Sequence, residues 1–164
     1  MEKIKKRKNS KKKGNAGERA IAKLLNDYYD TEEFKRVPTS GAFGTIHRGT
    51  LTESESNVFQ GDILTPDWFK WVIEVKSYKD VNLYKIFTSG KTLWDNQLKE
   101  EQDNLKNKKG VILVFKQNNR DWLAKINKGL FDKIKVYPRI EFKESIILKF
   151  SDLLKILNKD TEKK

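Results

Sequence analysis

The stretch Trp71–Tyr78, WVIEVKSY, sets an acid and a lysine two residues apart inside a run that otherwise has the composition of a buried strand. Side chains alternate faces along a strand, so Val72, Glu74 and Lys76 share one face while Trp71, Ile73 and Val75 share the other. The apolar set can face a core, leaving the charged pair to a cleft. Just upstream, VFQGDIL (58–64) and the turn residues TPDW (65–68) make this run the second strand of a predicted β-hairpin. A turn centred near Trp68 sets Asp62 opposite Glu74, with Cβ atoms roughly 4.5–5.5 Å apart. Two carboxylates that close repel, and a divalent cation between them converts the repulsion into binding. Asp67 is a rival acid, but it falls at the hairpin tip, and seven residues at ~3.3 Å each put more than ~20 Å of chain between it and Glu74. Asp62 is the better ligand.

Outward from the hairpin, Ile21, Leu24, Leu25 and Tyr28 repeat at helical spacing and predict a helix from Ala16 to about Asp30, with Asn15 as its cap. Glu18 lies on the helix face turned toward the sheet, where it is a third candidate acid. Asn15 and Glu18 also have the spacing of a capping box, a purely structural use of the same carboxylate. A short extended piece, FKRV (34–37), leads into Pro38. Residues 41–57, rich in Gly, Ser and Thr and without periodicity, predict a long mobile loop. After the hairpin, a mainly helical region is predicted from Leu83 to Lys108, followed by strands in GVILVF (110–115), DWLAKI (121–126) and ESIILKF (144–150). Ser151 is placed to cap a closing helix through Leu157. GVILVF is apolar on both faces, as a strand covered by layers on each side requires. The order of elements predicts a single mixed α/β domain over 15–158, between a basic arm at 1–14 and a charged tail at 159–164.

The formal charge is +12 over 164 residues, and there is no cysteine. Clustered Lys and Arg favour a polyanionic partner by releasing counterions from phosphates, which points to nucleic acid. The lack of cysteine excludes disulfides and thiolate zinc sites. No apolar run reaches membrane-spanning length and the start, MEKIKKRKNSKKKG, has no signal-peptide core, so the expectation is a cytoplasmic protein with no membrane partner. Candidate phosphate contacts are Lys3, Lys5, Lys6, Arg7, Lys8, Lys12 and Lys13 in the arm, Arg36 beside the strand and Arg48 in the loop. Thr39 and Ser40 are candidate donors to a phosphate, or ordinary turn residues. His47 is read as a DNA contact or as having no role. Trp68 and Phe69 at the hairpin tip can stack on bases, form a subunit interface, or simply pack.

KKGNAGERAIAKLL (12–25), KRVPTSGA (35–42), GDIL (61–64) and WVIEVKSY (71–78) resemble the PD-(D/E)xK nuclease superfamily, and among its members the archaeal-type Holliday-junction resolvases and their phage relatives. The resemblance runs from about Lys12 to Phe115. It implies a restriction-endonuclease-like core in αβββαβ order, with a central mixed sheet flanked by helices. It assigns Glu18, Asp62, Glu74 and the backbone carbonyl of Val75 to metal binding, Lys76 to catalysis, and Gln97 to an accessory role, where a plain solvated residue is the competing reading. The implied cofactor is Mg2+, with Mn2+ as a substitute. The implied activity is hydrolysis of a DNA phosphodiester, leaving a 5′-phosphate and a 3′-hydroxyl. A resolvase cuts two opposed strands, so a four-way or otherwise branched substrate implies a homodimer. Two features depart from the family pattern: the long 41–57 loop, and GD in place of PD. The competing readings are another nuclease of the superfamily (restriction-like, nicking or end-processing), a non-catalytic nucleic-acid-binding module, or a ribosome-associated or scaffold protein.

Overall fold

The computed structural model describes residues 10–38, 61–78, 94, 99, 102–103, 105, 110–130, 137–142 and 144–161. Helix α1 spans Ser10–Tyr29 and buries Ile21, Ala22 and Leu25, the stripe that its spacing predicts. It begins six residues earlier than expected, so Lys12 and Lys13 are helical, and Asn15 and Glu18 lie within the helix instead of forming a capping box. The lysines of this segment are good helix formers, so no cap is needed at Asn15 to start it. At the other end Asp30 takes a positive φ of 52°, and Thr31 N–H donates to Asn26 O at 3.1 Å, closing the helix. The Asn26 side chain then clasps Phe34, donating to its carbonyl and accepting from its N–H, both at 2.9 Å. This fixes the direction in which the chain leaves for the first strand.

Strand β1 (Lys35–Arg36) pairs antiparallel with β2 (Ile63–Leu64), in register Arg36 with Ile63. The expected regular hairpin between β2 and β3 (Trp71–Tyr78) is therefore not formed. Instead Asp62 bridges the two strands on either side of it: its N–H donates to Ile73 O at 2.9 Å and its carbonyl accepts from Val37 N–H at 3.0 Å. The β2–β3 connection turns at Pro66–Phe69. Strand β4 (Gly110–Gln117) lies parallel to β3, with Glu74 beside Leu113 and Lys76 beside Phe115. A parallel neighbour requires a long crossover, and within it Trp94, Lys99, Gln102 and Asp103 are helical. Leu105 is not helical, and its N–H turns back to Gln102 O at 3.3 Å; the rest of the predicted mainly helical region lies outside the described residues.

The sheet continues through β5 (Leu123–Asn127) and β7 (Ser145–Lys149) to β6 (Arg139–Phe142) at its far edge, giving the five-stranded order β3-β4-β5-β7-β6. Every pairing beyond β4 is antiparallel. Strand β6 is one the sequence pattern does not predict. A short 3-10 turn, Lys128–Leu130, follows β5. Helix α2 (Phe150–Thr161) starts directly from β7, so Ser151 sits inside it and does not cap it. The helix also takes in residues expected to form a tail. Both helices pack on one face of the sheet, where Ile21, Leu25, Ile73, Val75, Ile126, Leu148, Phe150 and Leu153 belong to one cluster. The opposite face carries a second cluster of Trp94, Leu113, Phe115 and Ile147. The architecture is thus mixed α/β as expected, with more strands after the crossover than the αβββαβ order contains. No helix among the described residues is long and apolar enough to cross a membrane.

Candidate active site

Glycine places Asp62. Gly61 has φ of +77°, and a Cβ built on it would lie 2.6 Å from Ile73 O and 2.7 Å from Val72 Cγ1. Only a residue without a side chain can pass this close to the β3 backbone in that conformation. The glycine of GDIL therefore has a physical role where the family pattern has proline. Its signal in the sequence is a lone glycine interrupting a strand-like run. Held there, the Asp62 carboxylate turns onto the strand and its Oδ2 accepts from Val75 N–H at 2.8 Å. The N–H and C=O of one strand residue point to the same side, so the Val75 carbonyl also faces this edge, away from β4.

Glu74 is only 4% exposed and Asp62 9%, an unusual depth for carboxylates. Lys76 Nζ lies 3.3 Å from Glu74 Oε2 and is itself half-buried. Burial, the largest influence, pushes the Lys76 ammonium toward deprotonation, but Glu74, Asp62 and the hydrogen bond to Glu74 together outweigh it and hold the pKa above the ordinary lysine value. Lys76 is thus a cation and a hydrogen-bond donor at neutral pH.

Glu18 is carried by helix α1, on the other side of the sheet. Gly17 brings α1 against β3, with a Cβ there meeting Ser77 Cβ at 3.4 Å, Trp122 at 3.5 Å and Val75 Cγ1 at 3.7 Å. Helix α1 therefore covers the Ile73–Val75 face, whereas Glu74 and Lys76 emerge on the opposite face with Leu113 and Phe115. Glu18 is 8% exposed and its Oε2 accepts from Arg36 Nε at 2.6 Å. Asp62 and Glu74 both act on the Lys76 ammonium, and Glu18 is drawn to a guanidinium. Among the described residues, no three or more His, Cys, Asp or Glu side chains form a group that could hold a metal ion.

Arg36, expected to contact phosphate, is engaged with Glu18. Phe69 is buried, and Trp68 packs edge-on against Tyr29, Phe34 and Phe69 while its indole N–H donates to Glu33 at 3.0 Å. These contacts bear out the packing reading for Phe69, while Trp68 packs on the same rings and remains 40% exposed. Asp67 stays at the tip, where its carbonyl accepts from Lys70. Gln97, Thr39, Ser40, His47, Arg48, the 41–57 loop and the arm residues Lys3, Lys5, Lys6, Arg7 and Lys8 lie outside the described residues, as do the side chains of Lys12 and Lys13.

Residues 9–160 match a family model described as "Phage putative PDDEXK endonuclease". Protein D14 of Escherichia phage T5 is 31% identical over 126 residues, covering 72% of this chain and 71% of that protein. No solved structure matches. The family match takes in α1, the Asp62 segment, the β3 acid–lysine pair and the whole sheet, so the chain belongs to the phage PDDEXK endonuclease family.

Proposed function

We propose that this chain is a metal-dependent DNA endonuclease that hydrolyses phosphodiester bonds at a centre built from Asp62, Glu74 and Lys76, and that its substrate is branched DNA, in the manner of a Holliday-junction resolvase. The observation that carries the reading is the buried Asp62 carboxylate, hydrogen-bonded to Val75 N–H beside the Glu74–Lys76 pair. Two buried carboxylates against one ammonium leave a negative charge in a poorly solvated place, and the donors are all oxygen. That set fits a hard divalent ion such as Mg2+ or Mn2+. Asp62, Glu74 and the Val75 carbonyl would hold it, with Glu18 joining them once it parts from Arg36. Bound there, the ion supplies charge neutralisation at the phosphate and a water of lowered pKa.

The chain's own residues do the remainder. Lys76, kept protonated by its two acidic neighbours, donates to the phosphoryl oxygens as negative charge develops on them and orients the attacking water. Gln97 is the accessory polar residue of this centre. Lys5, Lys6, Arg7, Lys8, Lys12, Lys13, Arg48, Thr39 and Ser40 hold the backbone of the DNA, joined by Arg36 when it exchanges Glu18 for a phosphate. Cutting two opposed strands makes the working form a homodimer.

The test is a cleavage panel of a mobile four-way junction, a flap, a single strand and a matched linear duplex, with and without Mg2+ or Mn2+, beside Glu74→Ala. The expected result is metal-dependent cutting concentrated on the junction and lost by at least about 100-fold in the variant. Preferential cutting of flap or linear duplex moves the protein to another nuclease type. Tight binding without cutting makes it a binding module.

A further inference from the structure

We infer that Tyr78 is a stacking platform for an unpaired nucleobase next to the scissile phosphate, and that it thereby selects DNA containing an unstacked base over continuous duplex. The inference rests on the nuclease reading above and extends it to substrate choice. Tyr78 continues the alternation of Glu74 and Lys76, so it projects from the same face of β3, ~6.8 Å beyond Lys76 along the strand. Unlike Val72, Ile73, Glu74 and Val75, which are all buried, it is 38% exposed.

The ring is fixed in place. Its backbone carbonyl accepts from Asn118 N–H at 3.0 Å, and its residue pairs in register with Gln117 of β4. The Tyr78 hydroxyl accepts the indole N–H of Trp94 at 3.1 Å, with the rings 5.5 Å apart and inclined by 34°. Trp94 in turn rests on Phe115 at 5.0 Å, and Phe115 is the β4 neighbour of Lys76. Three aromatic rings thus step outward from the core alongside the acid–lysine pair, and the outermost keeps open surface. An aromatic ring with its rotamer already locked loses little entropy when a base lies on it. In continuous duplex both faces of each base are covered by its neighbours, so reaching the ring costs unstacking. An unpaired base at a branch or fray has the least to lose. Stacking of this kind is indifferent to base identity, which suits a phosphate-reading, positively charged protein.

The experiment compares the wild type with Tyr78→Phe, which keeps the ring, and Tyr78→Leu, which still covers Trp94 but has no π face. Binding is measured in EDTA to a forked DNA carrying 2-aminopurine in its unpaired arm beside the branch, and to a fully paired duplex of the same sequence. Tyr78→Leu is expected to bind the fork about tenfold more weakly, to keep duplex affinity within about twofold, and to lose 2-aminopurine quenching, while Tyr78→Phe behaves as wild type. Unchanged fork affinity and quenching in Tyr78→Leu overturn the inference. So does an equal loss on fork and duplex, accompanied by a lower melting temperature, because that is the signature of a packing residue. Wild-type cleavage of the same two DNAs with Mg2+ is scored in parallel. Absence of cutting there sinks the nuclease reading separately, since the binding comparison contains no divalent ion.

Discussion

Gly61 shows how a single residue without a side chain can set the chemistry of its neighbour. Alanine there would bring a methyl group to within 2.6 Å of the Ile73 carbonyl oxygen at a backbone φ of +77°, so the segment must lift off β3 and take Asp62 with it. Gly61→Ala is expected to lose about 1–3 kcal/mol of stability, measured by urea denaturation, and to lose metal-dependent cleavage more completely than that destabilisation explains. Wild-type cleavage by Gly61→Ala would show that Asp62 is not positioned in this way. Tyr29 presents the opposite case: its hydroxyl is buried and has no hydrogen-bond partner among the described residues. Removing it in Tyr29→Phe should stabilise the protein by about 1 kcal/mol, because no bond is lost and a desolvated hydroxyl is no longer buried. Burial, helped by the neighbouring Tyr28, also pushes the Tyr29 phenol well above its ordinary value near 10. The unfolded chain therefore loses this proton at lower pH than the folded one. Wild-type stability should fall as pH rises past 10, and the difference between wild type and Tyr29→Phe should widen across that range. A gap that stays constant from about pH 8 to 11 would contradict the burial of the hydroxyl.

Among the elements, those whose burial pattern is written in their own residues are legible from the chain alone. Strand β4 can be read from GVILVF because an unbroken apolar run needs cover on both faces, and its first six residues are indeed buried. The parity of Glu74 and Lys76 on β3 is equally plain, since alternation fixes faces whatever the partner strand. Partner choice is not legible. GDIL reads as half of a hairpin with β3, yet β2 pairs with β1, because a two-residue strand is decided by the two edges that Asp62 can reach and not by its own composition. Strand β6, RIEF, escapes a sequence reading for a similar reason: it gains its place from β7, a pairing set by tertiary context. The start of α1 is misplaced by its sequence because Asn15 and Glu18 imitate a cap, while the ion pair that claims Glu18 comes from a residue 18 positions away. Helix α1 also holds two glycines of different standing. Among the described residues a Cβ at Gly14 meets only Glu18 Oε1, at 3.9 Å, whereas Gly17 faces β3 and Trp122 closely. Gly14→Ala should thus raise stability by roughly 0.5–1 kcal/mol through helix propensity, and Gly17→Leu should lower it by wedging the helix off the sheet. Thermal melts of the two variants that shift in the same direction would contradict this packing of α1.

At the scale of the whole molecule, the question is how a chain with a formal charge of +12 presents acids to a polyanion. Two of the acids near the site are paired, Glu18 with Arg36 and Glu74 with Lys76, while Asp62 accepts a backbone N–H and keeps its charge, which a bound divalent ion would offset before a phosphate approaches. Attraction then comes from the surplus of cations, and the first nine residues carry five of them: Lys3, Lys5, Lys6, Arg7 and Lys8. If these bind phosphates, deleting residues 1–9 should lower both DNA affinity and its salt dependence. On duplex, each phosphate no longer neutralised should flatten the slope of log K against log salt by about 0.9. Removing all five cations from the DNA would reduce the slope by about 4.5, and proportionally less if only part of the segment touches it. The cleavage rate at saturating DNA should hardly change, because the deletion leaves Asp62, Glu74 and Lys76 in place. That outcome would separate two parts of the molecule, a basic segment that sets how often DNA is bound and a β3 edge that sets what happens once it is there. A truncated protein with an unchanged slope would mean that the folded domain alone gathers the DNA. One with an unchanged slope and a lower saturated rate would mean that the segment acts on the centre itself.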